Sequence, residues 1–171
     1  MQGRSGRERH SAGRCINGVA RYMLVANQTI QSPELRDAAL RLQADDEHAE
    51  LTLVVPATRV ARGLMWDEIE TKAVARARLE AGVEFLRAAG CCVVDGFVGD
   101  EDPVLAIEDE LRRRRYAGIV VSTLPPGVSR WLKLDVVSRV KRRLPADRLV
   151  VHVVGTMSDV GSPPDNATRV T

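Results

Sequence analysis

The run Ile119-Val120-Val121-Ser122-Thr123-Leu124-Pro125-Pro126-Gly127-Val128-Ser129-Arg130-Trp131-Leu132-Lys133 decides the fold. An apolar triplet of the kind buried in a sheet empties into small polar residues, two prolines and a glycine. A helix then opens, and its first turn carries Ser129, Arg130 and Lys133. A strand, a phosphate-sized loop and a helix N-terminus in that order form an anion trap, because the first amides of a helix lack an intrahelical acceptor. Arg130 and Lys133 on that turn oppose the helix dipole by about 0.3–1 kcal/mol each. An anion bound there removes the penalty. Trp131, beside Leu132 and Leu134, reads as packing or an oligomer contact before it reads as a base-stacking face.

Outward from this run, strand-like and helix-like patterns alternate. Tyr22-Met23-Leu24-Val25-Ala26 is an apolar run ending at Asn27, and Ser32-Pro33-Glu34 then starts a helix with Leu35, Ala38, Ala39 and Leu42 at helical spacing. Leu51-Thr52-Leu53-Val54-Val55 is a second strand, stopped at Pro56. The segment from Trp66 to Ala89 is a long helix with Ala75, Leu79, Gly82, Val83 and Leu86 on one face, ended by Gly90. Cys91-Cys92-Val93-Val94 begins a third strand that runs through Phe97-Val98. One cysteine side chain is then expected on each side of the sheet. Asp102-Pro103 starts another helix with Val104, Ile107 and Leu111 inward, and Arg112 to Arg115 read as its solvated end. Val136, Val137, Val140 and Leu144 give the next helix its buried face, Pro145 stops it, and Leu149 to Val154 form a fifth strand.

Apolar strands separated by helices indicate an α/β class with a parallel sheet, covered by helices on both faces and joined by right-handed crossovers. In such sheets ligands bind outside the carboxyl ends of the strands. Asn27-Gln28-Thr29, Pro56-Ala57-Thr58, Gly99-Asp100 and Ser122-Thr123 all fall at those ends.

The 171 residues suffice for one domain, and the formal net charge of +2 argues against a surface built to cover nucleic acid. Residues 1–20 and 156–171 lack periodic apolar positions and read as a flexible leader and tail around a domain spanning 21–155. Arg4, Arg7, Arg9 and Arg14 face only Glu8 in the leader. Three cysteines without framework spacing fit a reducing cytoplasm, and nothing reads as a secretory signal or a membrane span. No metal-ligand cluster, catalytic triad or carboxylate pair stands out. His152 among valines reads as a hydrogen-bonded structural residue.

Across roughly residues 21–154 the order of elements and three local patterns resemble the universal stress protein family. They are Leu24-Val25-Ala26-Asn27, Gly99-Asp100 with Asp102-Pro103 and Ile107, and Ser122 through Lys133 followed by a helix and a final apolar strand. The resemblance implies a five-stranded, doubly wound, Rossmann-like sheet of order 3-2-1-4-5. It also implies a homodimer through the last strand and, in one subgroup, adenine-nucleotide binding. The departures are specific. Nucleotide-binding members have an acid where this chain has Asn27, and a glycine loop where it has Ser122 and Pro125, with Leu134, Asp135 and Val136 at the loop's close. Proline lacks an N–H and adds bulk, and Asp135 repels a triphosphate, which argues against ATP held in the family's manner.

The candidate binding residues are therefore Asn27, Ser122, Thr123, Gly127, Ser129, Arg130 and Lys133, with an adenine nucleotide or another phosphate-bearing ligand as cofactor. The bland alternative is that the hydroxyls cap strand and helix ends while Arg130 and Lys133 reach solvent or pair with Asp135. Three readings of function follow: a non-enzymatic stress-response or regulatory binding module, a nucleotide hydrolase or transferase using Asn27, Thr29, Asp100 or Ser122, and a structural dimer partner without a ligand. The first is favoured, with no catalytic residue assigned.

Overall fold

Cap residues set the first and third helices as the sequence predicts. Ser32 Oγ accepts from Leu35 N at 3.2 Å and Asp102 Oδ1 from Val104 N at 2.8 Å, each followed by proline at the first helical position. A computed structural model describes residues 19–57, 68–144 and 148–157. Its strands are β1 (Arg21–Val25), β2 (Glu50–Pro56), β3 (Val93–Gly99), β4 (Gly118–Thr123) and β5 (Leu149–Val154). The helices are α1 (Pro33–Asp45), α2 (Glu68–Ala88), α3 (Pro103–Arg113), α4 (Arg130–Lys133) and α5 (Val136–Arg143). All neighbouring strands pair in parallel, in the order β3-β2-β1-β4-β5.

That order reverses direction between β1 and β4, where Val25 lies opposite Val121. The crevice beyond these two strands is the switch point at which open parallel sheets bind ligands. Alternation along the strands sorts the core into two layers. Tyr22, Leu24, Leu53, Val55 and Val120 pack with α1 and α2, while Met23, Val25, Ile119 and Val121 pack with α3, α4 and α5. Trp131 joins the second layer and is 7% exposed, so its ring is a packing group.

Two boundaries differ from the sequence reading. Ala20, assigned by composition to the leader, is buried, and its carbonyl accepts from Glu50 N at 2.8 Å. The rest of the expected leader and most of the expected tail lie outside the described residues, as do Trp66, Thr58 and Pro145. The third strand starts at Val93 instead of Cys91. Gly90 adopts φ +89°, and the amides of Gly90 and Cys91 turn back onto the carbonyls of Arg87 (3.0 Å) and Leu86 (2.9 Å). That pairing pattern is a Schellman close to α2, and it takes Cys91 out of the ladder. Cys91 is buried and Cys92 exposed, so the difference between them comes from the helix cap and not from strand alternation.

Candidate functional site

Asn27 sits just past β1, 6% exposed, with both ends of its amide engaged. Its Nδ2 donates to the Pro56 carbonyl at 2.6 Å, and its Oδ1 accepts from Arg78 Nη1 on α2. Arg78 is itself 8% exposed, and burial lowers its pKa from the ordinary arginine value. A guanidinium removed from water needs close acceptors, so this pair ties α2 to the carboxyl ends of β1 and β2. Sequence reasoning missed Arg78. The signal was present, because Arg78 falls three residues after Ala75 and four before Gly82, on the inward stripe of the helix.

Beside it, Ser122 Oγ donates to Thr29 Oγ1 at 2.8 Å, and both residues are buried. No histidine or carboxylate among the described residues hydrogen-bonds Ser122, so it lacks the base an activated serine nucleophile uses. Thr123 Oγ1 pairs with His152 Nε2 at 2.8 Å. The structure thus gathers Asn27, Ser122 and Thr123 at the switch point, with Thr29, Arg78 and His152 as their partners.

The loop that follows is built by proline and glycine. Pro126 and Gly127 occupy the centre of a turn in which Gly127 takes φ +90°, the conformation a type II turn requires at its third residue. The Pro125 carbonyl accepts from Val128 N (3.2 Å) and Ser129 N (3.0 Å). These two amides are engaged within the loop. Ser129 is buried and caps α4, its Oγ accepting from Leu132 N at 3.2 Å.

Arg130 and Lys133 remain exposed at the two ends of the short helix that follows. The helix that carries them differs from the expected one. It spans four residues and gives way at Asp135, whose φ of 51° is left-handed. Arg130 and Lys133 stand in its first and last turn at once, so the dipole penalty expected for cations at an N-terminus largely cancels. What the two residues contribute is their own charge. Asp135 pairs with Arg142, Nη2 to Oδ2 3.4 Å, and not with either of them.

His152 gives the site a pH dependence. Burial lowers its pKa below the ordinary histidine value, and the charge of Lys141 acts in the same direction. The unfolded chain then binds the proton at a higher pH than the folded chain does. This contribution to stability is full above the unfolded value, about 6.5, and is lost as pH falls through the folded one. Urea midpoints at about pH 7.5 and about pH 5 are expected to differ less in His152→Gln than in the parent chain. Equal differences in the two proteins would remove His152 from the account.

Among the described residues no cluster of histidine, cysteine and carboxylate side chains is arranged to hold a metal, and no helix is long and apolar enough to cross a membrane. No family model matches the sequence, and no curated protein does. Solved structures do match. A protein of the universal stress protein family from Burkholderia pseudomallei superposes with TM-score 0.54 at 19% identity, covering 81% of this chain and 98% of that one. A universal stress protein from Archaeoglobus fulgidus superposes with TM-score 0.51 at 15% identity, covering 78% and 93%. A universal stress protein in complex with cAMP superposes with TM-score 0.50 at 18% identity, covering 79% and 98%. Strand order, the two-layered core and these superpositions agree: the chain has the fold of the universal stress proteins.

Proposed function

We propose that this chain is a non-enzymatic binding module of a regulatory or stress-response kind, taking an adenine nucleotide or another phosphate-bearing ligand at the β1/β4 switch point. The observation that carries the reading is the convergence of buried polar side chains, Asn27, Thr29, Ser122 and Thr123, at the carboxyl ends of the central strands, with exposed Arg130 and Lys133 on the short helix after β4. The universal stress protein solved with cAMP supports a nucleotide in a site of this fold. The engaged amides of Val128 and Ser129 and the neutral Asn27 favour a ligand with fewer phosphates than ATP. Calorimetry with cAMP, AMP, ATP and inorganic phosphate is expected to find one saturable ligand, bound about tenfold more weakly by Arg130→Ala, a loss of about 1.4 kcal/mol. Silence across the whole panel would refute the reading.

The same proposal places the module in the cytoplasm, as a homodimer through β5. This strand is one of the two edges of the sheet, and Leu149 and Val154 are exposed on it. A sedimentation mass of a single chain at micromolar concentration would exclude the dimer.

A further inference from the structure

The amino ends of the strands hold a second feature, a cavity of about 550 Å³ lined by Arg21, Arg113, Arg114, Arg115 and Arg148 with Glu50. It opens at the opposite end of the sheet from the switch-point crevice, about 17–20 Å away along the strands. Three separate parts of the chain supply the arginines. Arg21 begins β1, Arg113 closes α3 with Arg114 and Arg115 just beyond it, and Arg148 precedes β5.

The simple explanation of Arg112 to Arg115 is that cations suit a helix C-terminus. It fits Arg112, which pairs with Asp109 at 2.6 Å on the helix surface. It does not explain why Arg21 and Arg148, from distant strands, meet the rest of the run. The carboxylates at hand are few. Glu50 is engaged by Arg21 through Nε at 3.0 Å, Arg114 reaches Asp95 at 2.6 Å and Glu110 at 3.7 Å, and Arg113 lies 3.9 Å from Glu110. Among the described residues neither Arg115 nor Arg148 has an ion pair. The sequence before Val19 carries four arginines against Glu8 and adds no excess of acid.

We propose that this cavity is an anion site, separate from the switch-point crevice, for a soluble small molecule carrying two or more linked phosphate groups. Guanidinium forks match phosphate oxygens in pairs, and arginines spread over three chain segments suit several phosphates better than one. The volume lies in the range of small-molecule sites. Ala20 and Ala117 add an apolar wall. A nucleic acid strand fits less well, because the hollow is bounded and the whole chain has a formal charge of only +2.

The test uses the full chain and inorganic pyrophosphate. Calorimetry at low ionic strength is expected to show one pyrophosphate per chain at this site, with affinity falling at least about tenfold in Arg115→Ala and in Arg148→Ala. Arg130→Ala, at the other end of the sheet, is expected to leave that affinity unchanged. Arg115 is exposed and Arg148 half-buried, so both variants are expected to keep the parent urea midpoint. Absence of pyrophosphate binding overturns the proposal, as does unchanged binding in the Arg115→Ala, Arg148→Ala double variant. Loss in Arg130→Ala alone assigns the anion to the switch-point crevice and equally overturns it. Tighter binding of a single-stranded oligonucleotide through the same arginines would replace the small-molecule site with a nucleic-acid surface.

Discussion

Asn27→Ala is expected to destabilise the fold by about 3 kcal/mol, because one substitution strips partners from two buried groups. The Pro56 carbonyl loses its 2.6 Å donor, and Arg78, 8% exposed, loses the Oδ1 that accepts from its Nη1. A buried carbonyl without its donor costs about 1–3 kcal/mol, and a buried charge deprived of a partner costs more. Arg78 holds other contacts, which keeps the total at the lower end. Urea unfolding with an unchanged m-value is the measurement. Arg78→Met removes the charge and keeps much of the packing, so the double variant should be less unstable than the sum of the singles by at least about 1 kcal/mol. Additive losses would show that Asn27 and Arg78 are not coupled. The pair also bears on function: a binding defect in Asn27→Ala is interpretable only after its stability has been measured.

The fold was legible in the sequence wherever its cause is local. Ser32-Pro33 and Asp102-Pro103 start helices because cap oxygen and fixed φ act within three residues, and Gly90 ends α2 for the same reason. The apolar strands announce a parallel sheet without the help of any partner. Local patterns fail where tertiary contact decides. Cys91 continues an apolar run, yet its amide goes to Leu86 and that of Cys92 to the Gln43 side chain, so pairing with β2 starts late. Arg78 reads as a surface residue until Asn27, 51 positions away, gives it an acceptor. The candidate loop was readable as to composition but not as to the fate of its amides, which depends on how Pro125 turns back onto Val128 and Ser129. The amino-end arginines were visible only as one run, since their meeting with Arg21 and Arg148 depends on the strand order.

Gly99→Val is expected to cost about 3 kcal/mol, although valine is among the best strand formers and a strand propensity scale gives the opposite sign. Gly99 closes β3 opposite Pro56, and its carbonyl accepts from Ala57 N at 3.2 Å. A Cβ placed there lies 2.6 Å from Ala106 Cβ and 3.3 Å from Ala106 Cα, so it strikes a methyl fixed directly to the helix backbone and not the pliable end of a long side chain. Helix α3 has little room to retreat. Its start is fixed by the Asp102 cap, and Asp102 Oδ2 is held by Arg139 Nη2 at 3.1 Å from α5. Burying the branched side chain therefore means displacing α3 together with its contacts to α5, or breaking the end of β3. With an m-value of about 2 kcal/mol per molar, the urea midpoint should fall by about 1.5 M. Gly99→Ala should lose about half as much, since it adds the clashing atom without the branches. Ala106→Gly costs about 1 kcal/mol by itself in a helix interior, but in the Gly99→Val background it should recover stability, because it removes the nearer of the two contacts. A Gly99→Val chain as stable as the parent would mean that α3 does not press on the end of β3 as described.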